Sequence, residues 1–209
     1  MKNLEIWNEF DNSIPIIVSI PHSGTNITMS MRKDLLDNVI LSNMDWYLIE
    51  LYSFLKNLHI TTIVNNISRY VIDANREIVD NSSDSYTKNY IYTKTTFGYE
   101  IYKNIPSERE IKNRIQKYYN AYHENLSKLI KYKLKKFNRI YLIDLHSFGK
   151  DINEDIALGN ANGETSSDVF INNVKENLEK YGFIISLNKQ YSGGYIVKKY
   201  AGKTLKQFK

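Results

Sequence analysis

Apolar residues along this chain gather into short runs, and between the runs they recur at helical spacing. The first run, Ile14–Ile20 (IPIIVSI), predicts a buried strand that stops abruptly at Pro21-His22-Ser23-Gly24. Ser42 then reads as the cap of a helix reaching about Leu58, with Trp46, Ile49, Leu51, Phe54 and Leu55 as its apolar face. Ile60–Val64 (ITTIV) is β-branched and predicts the next strand. Asn81–Tyr102 is polar throughout and reads as a long excursion near the functional site. Ser107 with Glu110 matches a capping box and starts a long helix, in which Ile111, Ile115, Tyr118, Tyr122, Leu126, Leu129 and Leu134 share one face. Arg139–Leu145 (RIYLIDL) is the clearest strand and runs straight into His146-Ser147. Thr165 or Ser166 caps a last helix through about Tyr181, Gly182 ends it, and Phe183–Leu187 (FIISL) predicts a final strand.

This order of elements predicts an α/β fold of three layers, a mostly parallel or mixed sheet with helices on both faces. There is no internal repeat and no Pro-rich or Ser-rich linker, so a single domain over residues 1–209 is expected. The charge of +5 comes largely from Ile111–Arg139, with nine Lys or Arg against one Glu. Such a stripe suits nucleic acid or the solvated face of a long helix. The helix's tyrosines fall on the predicted core face, which argues against base stacking, so no nucleic-acid partner is expected. No apolar run can span a bilayer and Met1 to Asp11 is too polar for a signal peptide, so no membrane partner and a cytoplasmic location are expected. The chain has no cysteine, so any zinc site must use His and carboxylate.

Two of the four histidines, His22 and His146, sit just past predicted central strands. In open parallel sheets ligands bind at the carboxyl ends of the strands, so the two can converge on one pocket; singly, each reads sooner as a hydrogen-bonded core residue. A hydrolytic zinc takes about three protein ligands. Asp45 is the candidate third, its alternative being an ordinary acid in the first turn of a helix. Asp144, two residues before His146 on the same strand face, suits orienting that histidine or packing polar groups at the strand end. The segment Ser68–Glu77 (SRYVIDANRE) places Arg69 and Arg76 seven apart, with Asn75 beside the second. That pattern reads as a clamp for an anionic substrate, or as an Arg69–Asp73 salt bridge with a solvated Arg76. Gly193-Gly194, like Gly159 and Gly163, permits a tight turn or a close backbone approach.

Taken together these pieces resemble the N-formylglutamate amidohydrolase family. The matching segments are PHSGTNI (Pro21–Ile27), DWYLIELY (Asp45–Tyr52), SRYVIDANRE, YHENL (Tyr122–Leu126), IDLHSF (Ile143–Phe148) and GGYIVKKYAGK (Gly193–Lys203). They occur in the family's order and cover nearly the whole chain. The resemblance implies a fold similar to that of zinc carboxypeptidases and metal-dependent cleavage of N-formyl-L-glutamate to formate and glutamate. It implies one Zn2+ on His22, His146 and Asp45, and an Asn75–Arg76 pair holding the α-carboxylate of a small anionic N-acyl amino acid. It also places Arg69 at the oxyanion. His123, in YHENL, falls on a family motif and joins Arg69 among the candidate catalytic residues without an assigned step. Family members continue past GGYI into a stretch with a glutamate in the general-base position, whereas this chain ends at Lys209 and KTLKQFK carries no acid. The expectation is therefore a chain lacking the family's C-terminal segment, with its base unassigned. A deacylase for another N-acyl amino acid or peptide, and a catalytically impaired binding relative, stand beside the main reading.

Overall fold

The computed structural model describes residues 2–79, 88–149, 153–203 and 207, which fall into two compact units, Met1–Ser147 and Phe148–Lys209. Four strands build the sheet of the first unit: β1 (Leu4–Trp7), β2 (Ile16–Ile20), β3 (Thr61–Asn65) and β4 (Tyr141–Asp144). Their spatial order is β1-β3-β2-β4, with β2 parallel to both β3 and β4 and β1 antiparallel to β3. The sheet is mixed, as expected. β1 was not legible as a strand, because four residues with one charge at their centre give too short an alternation to stand out.

Helices α1 (Met29–Asp34) and α2 (Leu48–Leu51), the 3-10 turn Ser53–Lys56, and a long rod follow. The rod is α3 (Glu108–Arg114), one π turn (Ile115–Tyr119) and α4 (Asn120–Leu134). Alternation in β2 assigns the two faces. Val18 and Ile20 pack with Trp7, Leu48, Leu55 and Val64, while Ser19, facing the other way, meets Tyr122 of α4 at 2.7 Å. Each fully buried aliphatic side chain contributes roughly 1.5–3 kcal/mol, so these few residues anchor α2 to the sheet.

Three expectations about the helices change. The Ser42–Leu58 helix is only α2 and the short turn, and Trp46, Leu51 and Phe54 are about half exposed or more instead of forming a buried face. The reason is local: Asp45 N–H is held by His22 O, and Asn43 and Tyr47 take left-handed φ of 60° and 62°, which delays helix entry. Of the capping box at Ser107 the N-cap half holds, its side chain accepting from Glu110 N, while the Glu110 carboxylate accepts from Ser30 and Arg114 instead. Beyond it the π turn shifts the helix face, so Tyr119 is buried while Ile111, Ile115 and Tyr118 are only half-buried. The basic residues lie mostly outward, as a solvated face requires, with Arg114 and Lys133 the buried exceptions. Among the described residues no helix is long and apolar enough to cross a membrane.

The second unit pairs β5 (Ile156–Leu158) in parallel with β6 (Ile185–Leu187), joined through α5 (Asp168–Lys180), and adds α6 (Tyr195–Tyr200). Ser167, not Thr165 or Ser166, caps α5 by accepting from Phe170 N. Gly159 is a close-approach position, since a Cβ there would lie 2.6 Å from the main chain of Ser192.

Candidate metal centre

Parallel pairing brings the two histidines together. Ser19 of β2 is in register with Asp144 of β4, so His22 and His146 follow the carboxyl ends of neighbouring strands, and their ring centroids are 4.8 Å apart. The chain after β2 runs against the chain after β3: Asn26 N–H bonds to Asn66 O at 3.1 Å, and a Cβ on Gly24 would sit 2.3 Å from the Asn66 carbonyl carbon. Only glycine allows that approach, which accounts for the PHSG sequence and sets His22 beside the Ser68–Glu77 segment.

One nitrogen of each ring is committed and the other converges on Asp45. His22 Nε2 donates to Asp73 Oδ1 at 2.7 Å. Its buried Nδ1 has no hydrogen-bond partner among the described residues and lies 3.8 Å from Asp45 Oδ2. His146 Nε2 donates to Asp144 Oδ2 at 2.9 Å, and His146 Nδ1 is 2.9 Å from Asp45 Oδ2. The ligand atoms of His22, Asp45 and His146 all lie within 4.8 Å of one another. A buried imidazole nitrogen with no partner costs free energy unless a cation or donor fills the gap. Two imidazoles backed by carboxylates and one further carboxylate make a donor set that fits zinc. Asp45 precedes α2 by three residues and so is not a first-turn helix acid.

Asp73 carries more than the salt bridge seen in the sequence. Its Oδ1 accepts from His22 Nε2 and Asn75 N, and its Oδ2 from Arg69 Nη2 (2.8 Å) and Tyr92 Oη (2.5 Å). Burial pushes this carboxyl up, but the charges of His22 and Arg69 outweigh it and hold the group well below the ordinary carboxylate value. Burial lowers the His22 pKa in turn, against the pull of Asp73, so its Nδ1 carries a lone pair at neutral pH. On the other strand Asp144 accepts from His146, Asn75 Nδ2 (3.0 Å) and Ser19 Oγ (2.5 Å). Its orienting role is thus realised.

The remaining candidates are spread around this core. Arg69 is buried and spends Nη2 on Asp73 and Tyr92 and Nη1 on Asn43 O. These contacts suit bracing Asp73 better than receiving a substrate oxyanion, and the Arg69–Asp73 pair is a buried one, not a surface pair. Asn75 is buried against Asp144 and His146. Arg76 is half-buried; its Nη1 reaches Asn75 O and its buried Nε has no partner among the described residues. His123 is buried in α4 with Nε2 donating to Ala74 O at 3.0 Å. Of the Asn81–Tyr102 excursion, residues 81–87 lie outside the described residues, but Tyr90 and Tyr92 do reach the site through Asp73. The roles of Asp73 and Tyr92 were missed. An acid inside the apolar run Tyr70-Val71-Ile72 is a signal, since a buried charge must be paired; nothing local to Tyr92 marks it.

His146 sets the pH behaviour of metal-free protein. Burial pulls its pKa down, but the carboxylates of Asp144 and Asp45 prevail and push it up to about 10. A group raised in the folded state stabilises fully below its ordinary value of 6.5 and loses that contribution as pH rises toward 10. Asp45, raised by burial but lowered further by His146, stabilises above its ordinary 3.8 and loses this as pH falls. His22, lowered by burial, stabilises above its ordinary 6.5 and loses this as pH falls, so thermal melts in chelator are expected to show maximal stability near pH 6.5, with a decline on acidification and through alkaline pH.

Comparison with known proteins follows the same residues. The chain is 27% identical over 199 residues to the N-formylglutamate deformylase of Pseudomonas putida, covering 90% of this chain and 74% of the relative. The corresponding Pseudomonas aeruginosa protein is 26% identical over 201 residues, covering 90% and 75%. The fold is similar to the crystal structure of N-formylglutamate amidohydrolase from Ralstonia eutropha JMP134, with TM-score 0.82 and 18% identity over 96% of this chain and 81% of that one. A protein from Agrobacterium tumefaciens aligns with TM-score 0.71 and 19% identity, over 91% and 75%. The N-formylglutamate amidohydrolase family model matches residues 14–208, which include the histidine–aspartate triad and the Ser68–Glu77 segment, and the chain belongs to that family.

Proposed function

We propose that this chain is a metal-dependent amidohydrolase that cleaves N-formyl-L-glutamate to formate and glutamate, with zinc as the ion. The observation that carries this reading is the buried, partnerless Nδ1 of His22 facing Asp45 and His146. A divalent ion at such a site, when bound, polarises a carbonyl and makes water nucleophilic near neutral pH. His22 and His146 would hold it through Nδ1 and Asp45 through a carboxylate oxygen. Asp73 and Asp144 keep each Nε2 protonated, which fixes the tautomer and leaves the electron-rich nitrogen inward. Arg76, with donors beyond its single bond to Asn75 O, is the anchor for the substrate's α-carboxylate. Asn75 donates to Asp144 and so keeps that carboxylate in place beside His146. Fixing the carboxylate leaves the small formyl group at the triad.

The test is a metal titration coupled to formate release. Protein stripped with chelator is expected to lose turnover and regain it at one equivalent of zinc. A stoichiometry near zero after zinc addition, or background formate release from the zinc-saturated protein, would overturn the proposal. Running N-formylmethionine and N-acetylaspartate alongside distinguishes formylglutamate from other N-acyl amino acids.

A further inference from the structure

The helical rod beside the site also grips the main chain that carries the site's side chains. Arg114 Nη1 donates to Val71 O (3.2 Å), His123 Nε2 to Ala74 O (3.0 Å) and Tyr119 Oη to Arg76 O (2.9 Å). All three carbonyls belong to the turn-rich segment bearing Asp73, Asn75 and Arg76. That segment is buried outside any strand ladder, so its polar groups need other partners. Its amides are served within the unit, with Asp73 N on Tyr90 O and Asn75 N on Asp73 Oδ1. The rod serves these carbonyls. A fourth contact reaches the other strand, through Tyr122 to Ser19 and on to Asp144.

The spacing of the three donors explains the π turn. Arg114 and Tyr119 are five residues apart, and at about 100° per residue an α-helix would point them roughly 140° away from each other. The turn Ile115–Tyr119 lies between them, and its wider i→i+5 closure brings such a pair toward one face. Tyr119 and His123 are then four apart, which an α-helix already aligns. We propose that Arg114, Tyr119 and His123 are positioning residues, aligned by the π turn, which fix the main chain of the segment that orients His22 and receives the substrate's carboxylate. This rests on the hydrolase reading above.

The two contacts nearest the site predict different losses. Tyr119→Phe removes one hydroxyl and frees the carbonyl of Arg76, the carboxylate anchor. It is expected to raise KM for N-formyl-L-glutamate about tenfold, with kcat and zinc affinity unchanged, the scale of one lost hydrogen bond. His123→Leu frees Ala74, next to the residue that orients His22, and is expected to weaken zinc binding about tenfold, while His123→Gln, which keeps a side-chain N–H, restores it. Hydrogen exchange of residues 68–77 should accelerate in His123→Leu and not in His123→Gln. A KM within twofold of the parent in Tyr119→Phe, or unchanged exchange in residues 68–77 for both His123→Leu and Tyr119→Phe, would overturn the bracing. A parent protein that takes up no zinc and releases no formate would sink the hydrolase reading instead, and the exchange measurement would still decide the bracing.

Discussion

Replacing His22 with alanine is expected to empty the metal site while leaving the fold standing. Spread over three or four ligands, a zinc binding free energy of roughly 10–16 kcal/mol corresponds to about 3–4 kcal/mol per ligand, or two to three orders of magnitude in affinity. His22→Ala should therefore purify with little zinc, and its kcat/KM at limiting zinc should fall at least as far. Stability should suffer much less. Asp73 loses one donor but keeps Arg69, Tyr92 and the Asn75 amide, so the cost is about that of one hydrogen bond and a small cavity, about 1–3 kcal/mol. Asp73→Ala should cost more stability than His22→Ala. It leaves the buried Arg69 guanidinium without its carboxylate, a change worth about 3–5 kcal/mol, so its melting temperature should drop further than that of His22→Ala. Thermal melts of the two metal-free variants side by side check this. Equal zinc content in His22→Ala and the parent would remove the histidine from the site.

What the sequence made legible follows from what sets each feature locally. His22 and His146 were placed by strand ends, since β2 and β4 are short apolar runs whose parallel pairing leaves little freedom beyond their last residues. The Ser107 cap was readable because both partners lie within one helical turn. Asp45 was read as facing the site from the start of a helix. It does face the histidines, but from an extended entry held by His22 O and not from the first turn of a helix. Asp73 looked like a salt-bridge partner four residues from Arg69, and that bond exists. Its second bond, to His22 across 51 positions, is set by the close approach at Gly24 and has no local periodicity to betray it. The π turn was hidden for a related reason. Ile111, Ile115 and Tyr118 keep good α-helical spacing, and the pull toward Tyr119 comes from the carbonyls of a distant segment.

Arg76 is the residue on which substrate recognition should turn. Its guanidinium is half-buried, bonds only its neighbour's carbonyl among the described contacts, and has a buried Nε with no partner. A bidentate carboxylate would answer both deficits at once, and two charge-assisted bonds lost are worth about 3–5 kcal/mol, about two to nearly four orders of magnitude. Arg76→Ala is accordingly expected to cut kcat/KM for N-formyl-L-glutamate by about a hundredfold or more, mostly through KM. Arg76→Lys should recover little, because an ammonium supplies a point charge and not the planar fork. Zinc content should be normal in both, since Arg76 is not a ligand and Asp73 retains its own partners. The decisive measurement pairs the variants with a substrate whose α-carboxylate is replaced by an amide. The parent should discriminate against that amide by about the same factor as Arg76→Ala loses on the acid, and Arg76→Ala should treat acid and amide nearly alike. If Arg76→Ala still prefers the acid as strongly as the parent does, the carboxylate is held elsewhere and Arg76 is only a neighbour of the site.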